Sequence, residues 1–301
     1  MDISFKNISF DTIINEDTIK KNVSLTIARL DKLHEDVSGN KLFKLHYFIE
    51  ECLKSSHKTL LTFGGAFSNH LVATAFLCTK KGIKSIGIVR GEEPKILSHT
   101  LTRCKDLGMN VRFISRKDYK DFEENGNNIA ELTNLFGDFI LVPEGGYNVA
   151  GAYGASLIME VVEPEKFTHI STSVGTATTL AGLLLKKNID QEIIAIPVIK
   201  NMLDIPERLN HLGVGADINP VVFSDFHFGG YAKHTPELIG FMNSFYAETS
   251  IPTEFVYTAK MMYAIYVKIK SGYFKPGSNI LCIHTGGLQG NKSLPQGTLI
   301  F

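Results

Sequence analysis

The chain has 301 residues, too many for a small module and enough for one or two domains with a sizeable core. Hydrophobic residues make up 44% and charged residues 21%, which excludes a disordered, collagen-like or coiled-coil chain. The 31 Lys and Arg balance the 31 Asp and Glu, so no net field draws the protein to nucleic acid or an anionic membrane, and any bound anion must be held locally.

The first residues, MDISFKNISFDTIINEDTIKK, mix acids and bases without an apolar run, and no later stretch approaches the ~20 apolar residues of a membrane span, so a soluble cytoplasmic protein is expected. Next along the chain, Leu42, Leu45, Ile49 and Cys52 recur at spacings of three and four, which predicts a helix over 41–54 with one apolar stripe. From Thr59 onward, short apolar runs at 59–63, 84–90, 110–115, 139–143, 168–173, 192–198, 220–225 and 279–284 read as strands. Helical patterns near 68–81, 97–107, 127–135, 151–161, 178–187, 235–247 and 258–271 fill the intervals. That alternation is the signature of β-α-β units around a parallel sheet, and the length suggests two lobes sharing a cleft. The Gly-rich stretch PEGGYNVAGAYG (143–154) is the best candidate for the crossover between them. Cys52, Cys78, Cys104 and Cys282 are scattered, with no C-x-x-C pair and no clustered histidines, so free thiols are expected rather than a zinc site or disulfide framework.

Ligands of parallel α/β sheets bind outside the carboxyl ends of the strands, which directs attention to four junctions. Ser173-Val174-Gly175-Thr176-Ala177-Thr178-Thr179 leaves a strand and opens a helix, where successive backbone N–H groups can cradle a phosphate without Lys or Arg. Gly64-Gly65-Ala66-Phe67-Ser68-Asn69-His70 leaves another strand, with Ser68 where an N-cap belongs. Ser38-Gly39-Asn40-Lys41 puts a lysine at a helix start, whose positive end disfavours a further cation. His284-Thr285-Gly286-Gly287 ends the last strand. Taken singly, each also suits ordinary capping, a solvated lysine or a buried turn histidine. A dinucleotide site would need G-x-G-x-x-G opening a helix and an acidic residue about 20 positions on; no convincing instance occurs.

Together and in this order, with ARLDKLHEDVSGNKLFKL, LVPEGGYNVAGAYG, FGGYAKHTPELI and FVYTAKMMY, these segments resemble the fold-type II pyridoxal-phosphate enzymes, specifically the D-cysteine desulfhydrase and 1-aminocyclopropane-1-carboxylate deaminase family. The resemblance runs from Arg29 to about Gly290. It implies an α/β fold of two open twisted, mainly parallel sheets with flanking helices: a large cofactor-binding domain from 1–44 and 151–301, a smaller α/β domain from 45–150, and a homodimer. It implies pyridoxal 5′-phosphate as cofactor and a small amino acid as substrate. Lys41, rather than Lys44 three residues on, would bond the cofactor aldehyde. Asn69 would hydrogen-bond the ring hydroxyl, Ser68 would face the substrate carboxylate, and Gly175, Thr176, Ala177, Thr178 and Thr179 would hold the 5′-phosphate. Tyr231 and Tyr257 would flank the substrate side of the ring.

Within the family, the deaminase branch resembles Val-Tyr-Glu-Gly-Lys followed by His-Leu-Gly-Gly, with the glutamate facing the pyridine nitrogen; here Thr258 and Thr285 stand at those places. A carboxylate at that nitrogen keeps it protonated and makes the ring a strong electron sink, which opening an unactivated cyclopropane demands. A threonine hydroxyl leaves a weaker sink, sufficient when a thiolate departs from the β-carbon, since its parent thiol has a pKa of about 8.5. Ser-Asn-His at 68–70 also resembles the desulfhydrase branch. The expected reaction is therefore β-elimination on a small D-amino acid, with D-cysteine going to pyruvate, ammonia and hydrogen sulfide. The alternatives are deamination of the cyclopropane amino acid to 2-oxobutanoate, and a cofactor-binding protein without turnover. Phe67 replaces a glutamine common in relatives, and Ala177 and Ala259 replace glycines; alanine at 177 suits the loop only with a negative φ.

Overall fold

The computed structural model describes residues 8–34, 39–125 and 129–301. The expected Ser38, and residues 127 and 128 of one expected helix, lie outside them. In chain order the elements are β1 (Ser9–Ile13), α1 (Glu16–Lys21), β2 (Ser24–Arg29), α2 (Asn40–Lys54), β3 (Thr59–Gly64), α3 (Asn69–Lys81), β4 (Lys84–Arg90), α4 (His99–Asp106), β5 (Asn110–Ile114), α5 (Arg116–Asn125) and α6 (Ile129–Phe136). There follow β6 (Ile140–Val142), α7 (Val149–Val161), β7 (His169–Val174), α8 (Thr178–Leu185), β8 (Glu192–Pro197), α9 (Ile205–His211), β9 (Val221–Val222), α10 (Pro236–Thr249), α11 (Thr258–Ser271) and β10 (Asn279–Ile283).

These strands form two sheets, ordered β1-β2-β10-β7-β8-β9 and β5-β4-β3-β6. Every pairing is parallel except β1 with β2. The α/β fold of two mainly parallel sheets with flanking helices is thus as expected. Interior strands such as TLLTFG and EIIAIP are buried on both faces, because helices cover a parallel sheet on each side. All four cysteines are buried free thiols. Among the described residues no helix is long and apolar enough to cross a membrane.

The β1–β2 hairpin and the helices α1, α5 and α9 escape the sequence reading for a physical reason. β1, Ser-Phe-Asp-Thr-Ile, buries only its last residue and carries too few apolar side chains to declare a strand. The helices are short or largely polar, so no apolar stripe marks them.

The largest core cluster joins α2, α7 and α8 to one face of the six-stranded sheet. The approach of α7 to α2 depends on a residue without a side chain: a Cβ at Gly154 of α7 would sit 2.2 Å from the carbonyl oxygen of Phe43 in α2. The Gly-rich crossover therefore lets two helix backbones touch. That contact holds the start of α2, with Lys41, at the carboxyl ends of both sheets.

Candidate active site

The ends of β3, β4, β6, β7 and β10 and the starts of α2, α3 and α8 enclose a cavity of about 430 Å³. Its position follows the rule for open parallel sheets, where diverging loops leave a crevice at the carboxyl edge.

Lys41 is the second residue of α2 and lines the cavity, half-buried. The chain reaches it through Gly39, at φ +73° and ψ −147°, a conformation reserved for glycine. A Cβ there would lie 1.7 Å from the Thr285 carbonyl oxygen. The Asn40 backbone N–H donates to the same carbonyl at 3.4 Å, and the Asn40 side chain donates from Nδ2 to Thr179 Oγ1 at 2.6 Å. The lysine's backbone is therefore pinned to the end of β10 and the start of α8. Lys41 Nζ lies 5.4 Å from the centre of the Tyr257 ring. Burial lowers its pKa to about 8, with the nearby Glu254 charge opposing; burial, rather than the helix terminus, carries the lowering.

Lys44, one turn on, is buried and donates to the Gly145 carbonyl at 3.2 Å. Burial first, and the charge of Lys41 second, push its pKa well below the ordinary lysine value. Gly145 in turn lies against Thr176, whose methyl would be 3.0 Å from a Cβ on that glycine, so Lys44 flanks the 175–179 loop.

That loop joins β7 to α8. The hydroxyls of Thr176 and Thr178 share a hydrogen bond at 2.9 Å, and Gly175 leaves room for Tyr257, whose Cε1 would be 3.2 Å from a Cβ there. Ala177 sits at φ +66° and ψ −2°, so the negative φ that an alanine calls for is not what the loop adopts. Ala259 lies in the helical backbone of α11 and carries no such strain.

Ser68 caps α3, accepting from the Leu71 N–H at 3.4 Å, and Asn69 Oδ1 accepts from Gln289 Nε2 at 2.7 Å. The Asn69 amide nitrogen points toward Gly287, where a Cβ would be 2.8 Å from it. The Thr62 hydroxyl donates to the Val142 carbonyl, so it accepts from His70 Nε2–H at 3.0 Å. His70 stays neutral: burial and the two nearby lysines depress its pKa to about 3.

Glu254, Tyr257, Tyr231 and Thr285 line another part of the wall. Glu254 is fully buried; Oε1 accepts from the Val256 N–H at 2.7 Å and Oε2 from the Tyr257 N–H at 3.0 Å. Burial raises its pKa to about 7 against the pull of those donors, Lys41 and Lys260. The buried Lys260 donates to the carbonyls of His227 at 2.8 Å and Gly230 at 2.7 Å, anchoring the turn that ends in Tyr231. The rings of Tyr231 and Tyr257 meet edge to face, 6.0 Å apart.

Lys41, Ser68, Asn69, Tyr231, Tyr257, Thr285 and the 175–179 loop thus share one cavity. Thr258 stands behind its wall: the hydroxyl accepts from the Glu254 N–H at 2.7 Å. Asn40 and His70 entered the sequence reading only as parts of their motifs and Lys44 only as the lysine to be told apart from Lys41, while Glu254, Glu144 and Arg90 were not singled out; Glu254 sits four residues before Thr258 and accepts from the backbone N–H groups just ahead of α11.

The cavity suits a polar group that carries both a hydrogen-bond donor and an anion. Asn40 Oδ1, His70 Nδ1 and Ser173 Oγ are buried on or beside its wall with no protein partner, the first two as acceptors, and Lys41 and Lys44 offer amines to an anion. Residues 19–286 match the family described as "Pyridoxal-phosphate dependent enzyme". The chain is 30% identical over 279 residues to a Pyrococcus horikoshii protein named "Putative 1-aminocyclopropane-1-carboxylate deaminase", covering 88% of this chain and 84% of that one. It is 28% identical over 298 residues to the Arabidopsis thaliana "Bifunctional D-cysteine desulfhydrase/1-aminocyclopropane-1-carboxylate deaminase, mitochondrial", covering 88% and 73%. Among solved structures, the "ACC deaminase homologue" superposes with a TM-score of 0.79 at 26% identity, over 96% of this chain and 91% of that one. The cavity's lysines, its phosphate-type loop and these matches carry one conclusion: the chain belongs to the pyridoxal-phosphate dependent enzymes, in the family of the 1-aminocyclopropane-1-carboxylate deaminases and D-cysteine desulfhydrases.

Proposed function

We propose that the protein catalyses β-elimination on a small D-amino acid, with D-cysteine going to pyruvate, ammonia and hydrogen sulfide. The observation that carries this is the environment of Lys41, an amine at the cavity wall whose pKa of about 8 leaves a substantial neutral fraction at physiological pH. Lys41 is the residue to hold the cofactor aldehyde. The N–H groups of the 175–179 loop, with Lys44 beside them, would hold the phosphate, and Asn69 the ring hydroxyl. When bound, the cofactor supplies the electron sink that stabilises negative charge at the substrate α-carbon. With the cofactor and substrate in place, the neutral amine of Lys41 would take the α-proton as general base. Ser68 and the first N–H groups of α3 receive the α-carboxylate, which orients the α C–H bond. Tyr231 and Tyr257 close the substrate side. The β-thiolate then leaves as hydrogen sulfide, and hydrolysis of the remaining enamine yields pyruvate and ammonia.

A second reading, deamination of 1-aminocyclopropane-1-carboxylate, draws support from the names of the relatives and from Glu254, a fully buried carboxyl in the cavity wall. Product identity separates the two. Pyruvate with sulfide from D-cysteine, and little from L-cysteine, supports the first; 2-oxobutanoate from the cyclopropane amino acid without sulfide from either cysteine replaces it with the second.

The two sheets support a division into a large domain, 1–44 with 151–301, and a smaller one, 45–150. Limited proteolysis cutting near 44 and 150 would test it. We also read the protein as a cytoplasmic homodimer, in keeping with its buried thiols and the habit of this fold type. Sedimentation at a monomer mass would remove the dimer.

A further inference from the structure

Arg90 ends β4, and the register that pairs Gly64 of β3 with Val89 of β4 brings it level with Gly65. It therefore stands beside the loop that carries Ser68, on the small-sheet side of the cavity and across from the 175–179 loop. Its side chain lines that cavity: the Tyr119 ring lies 5.3 Å from its guanidinium carbon, and an added Cβ on Gly65 would meet its Nη2 at an ordinary 3.8 Å. Among the described residues it forms no ion pair; Glu144, a carboxylate of the cavity lining, accepts instead from the Tyr119 hydroxyl at 2.6 Å.

Phosphate and α-carboxylate already have their own places in the reading above, at the start of α8 and at the start of α3. Neither needs Arg90. An open guanidinium on the wall next to the substrate loop has a planar, forked donor set that matches a carboxylate in two-point contact. Tyr119 holds it by stacking, which orients the fork without neutralising it.

We propose that Arg90 forms a second anion subsite, so that the site favours amino acids whose side chain ends in a carboxylate over neutral side chains of the same shape. This rests on the amino-acid site proposed above and deepens it: D-cysteine undergoes the reaction without a second anion, and the class the site favours is β-substituted D-amino acids whose leaving group ends in a carboxylate.

Calorimetric titration of the cofactor-loaded enzyme with aspartate and asparagine, isosteric and differing in charge, tests it; each is used as both enantiomers. The charged member of the favoured enantiomer is expected to bind about tenfold more tightly, the scale of one charge-assisted contact in a partly closed site. In Arg90→Gln that ratio falls toward one, and Arg90→Lys recovers part of it. Equal binding of the two ligands by the wild type, tighter binding of asparagine, or binding of neither would overturn the subsite. So would a ratio that Arg90→Gln leaves unchanged, since the arginine would then be serving the shared α-carboxylate. Failure of the amino-acid reading itself shows separately: D-cysteine and L-cysteine, titrated in parallel, would then bind no better than 3-mercaptopropionate, which differs from them only in lacking the amino group.

Discussion

Asn40 Nδ2 donates to Thr179 Oγ1 across 2.6 Å, joining the residue before Lys41 to the helix that opens at the phosphate-type loop. The bond is buried, so its loss strands a hydroxyl that water cannot reach. Asn40→Ala should lower stability by about 1–3 kcal/mol and weaken cofactor binding together with it, because one contact sets the spacing of the two elements proposed to hold the cofactor. Chemical denaturation and cofactor titration of the same preparation check this; a stability loss with unchanged cofactor affinity would uncouple the two.

Ala177 pits two effects of similar size against each other. Its left-handed backbone costs an alanine about 1–2 kcal/mol, which glycine would relieve. Against that, Ala177→Gly loses a buried methyl worth about 0.8 kcal/mol and adds about 0.5–1 kcal/mol of chain entropy to the unfolded state. The substitution should therefore be close to neutral in denaturant unfolding, within about 1 kcal/mol. A loss clearly above that range would show that the left-handed conformation carries little strain.

Lys44 should trade stability for binding. A buried lysine beside another lysine is costly whether it keeps its proton without an anion or gives it up, so Lys44→Met should stabilise the cofactor-free protein by about 1–2 kcal/mol. The same change should weaken cofactor binding at least about tenfold. Thermal unfolding with and without cofactor reads both arms; a destabilised cofactor-free variant would show that the lysine earns its place through packing instead.

The Lys41 amine has a pKa near 8, below the ordinary 10.5, so its neutral, reactive form grows as pH rises through about 8. Capture of cofactor by the cofactor-free protein should accelerate across the same interval. The negative charge of Glu254 holds the lysine's pKa up, so Glu254→Gln should move the midpoint to lower pH. Stopped-flow absorbance over a pH series measures it. A midpoint that stays put or moves upward would mean that Glu254 does not face the amine.

Much of the fold was legible because buried parallel strands announce themselves as apolar runs. Leu60, Leu61 and Phe63, or Ile193, Ile194 and Ile196, have little other use. The hairpin β1–β2 was not, since half of β1 faces outward and its partner contacts come from residues distant in sequence, above all Asn279–Ile283 beside β2. The candidate site divides in the same way. Residues at strand ends with distinctive local patterns, such as Gly39-Asn40-Lys41 and Ser68-Asn69-His70, could be picked out by their neighbours in the chain. Glu254 and Lys44 look like ordinary charged residues until burial shows them in the cavity wall, and Arg90, itself exposed, until the sheet brings its side chain to the same cavity.

Sequence alone determined most of the alternation of strands and helices from α2 onward, the phosphate-type loop and the candidate lysine, because apolar periodicity, glycine placement and helix starts are properties of short segments. Only the tertiary structure decided which charges would share a space poor in water. It drew Lys41, Lys44 and Glu254 out of solvent together, it set Thr258 behind the wall, and it left the guanidinium of Arg90 open to the cavity. Those outcomes depend on strands brought side by side across long stretches of chain, and desolvation, which sets the pKa of each buried group, exists only after that packing is complete.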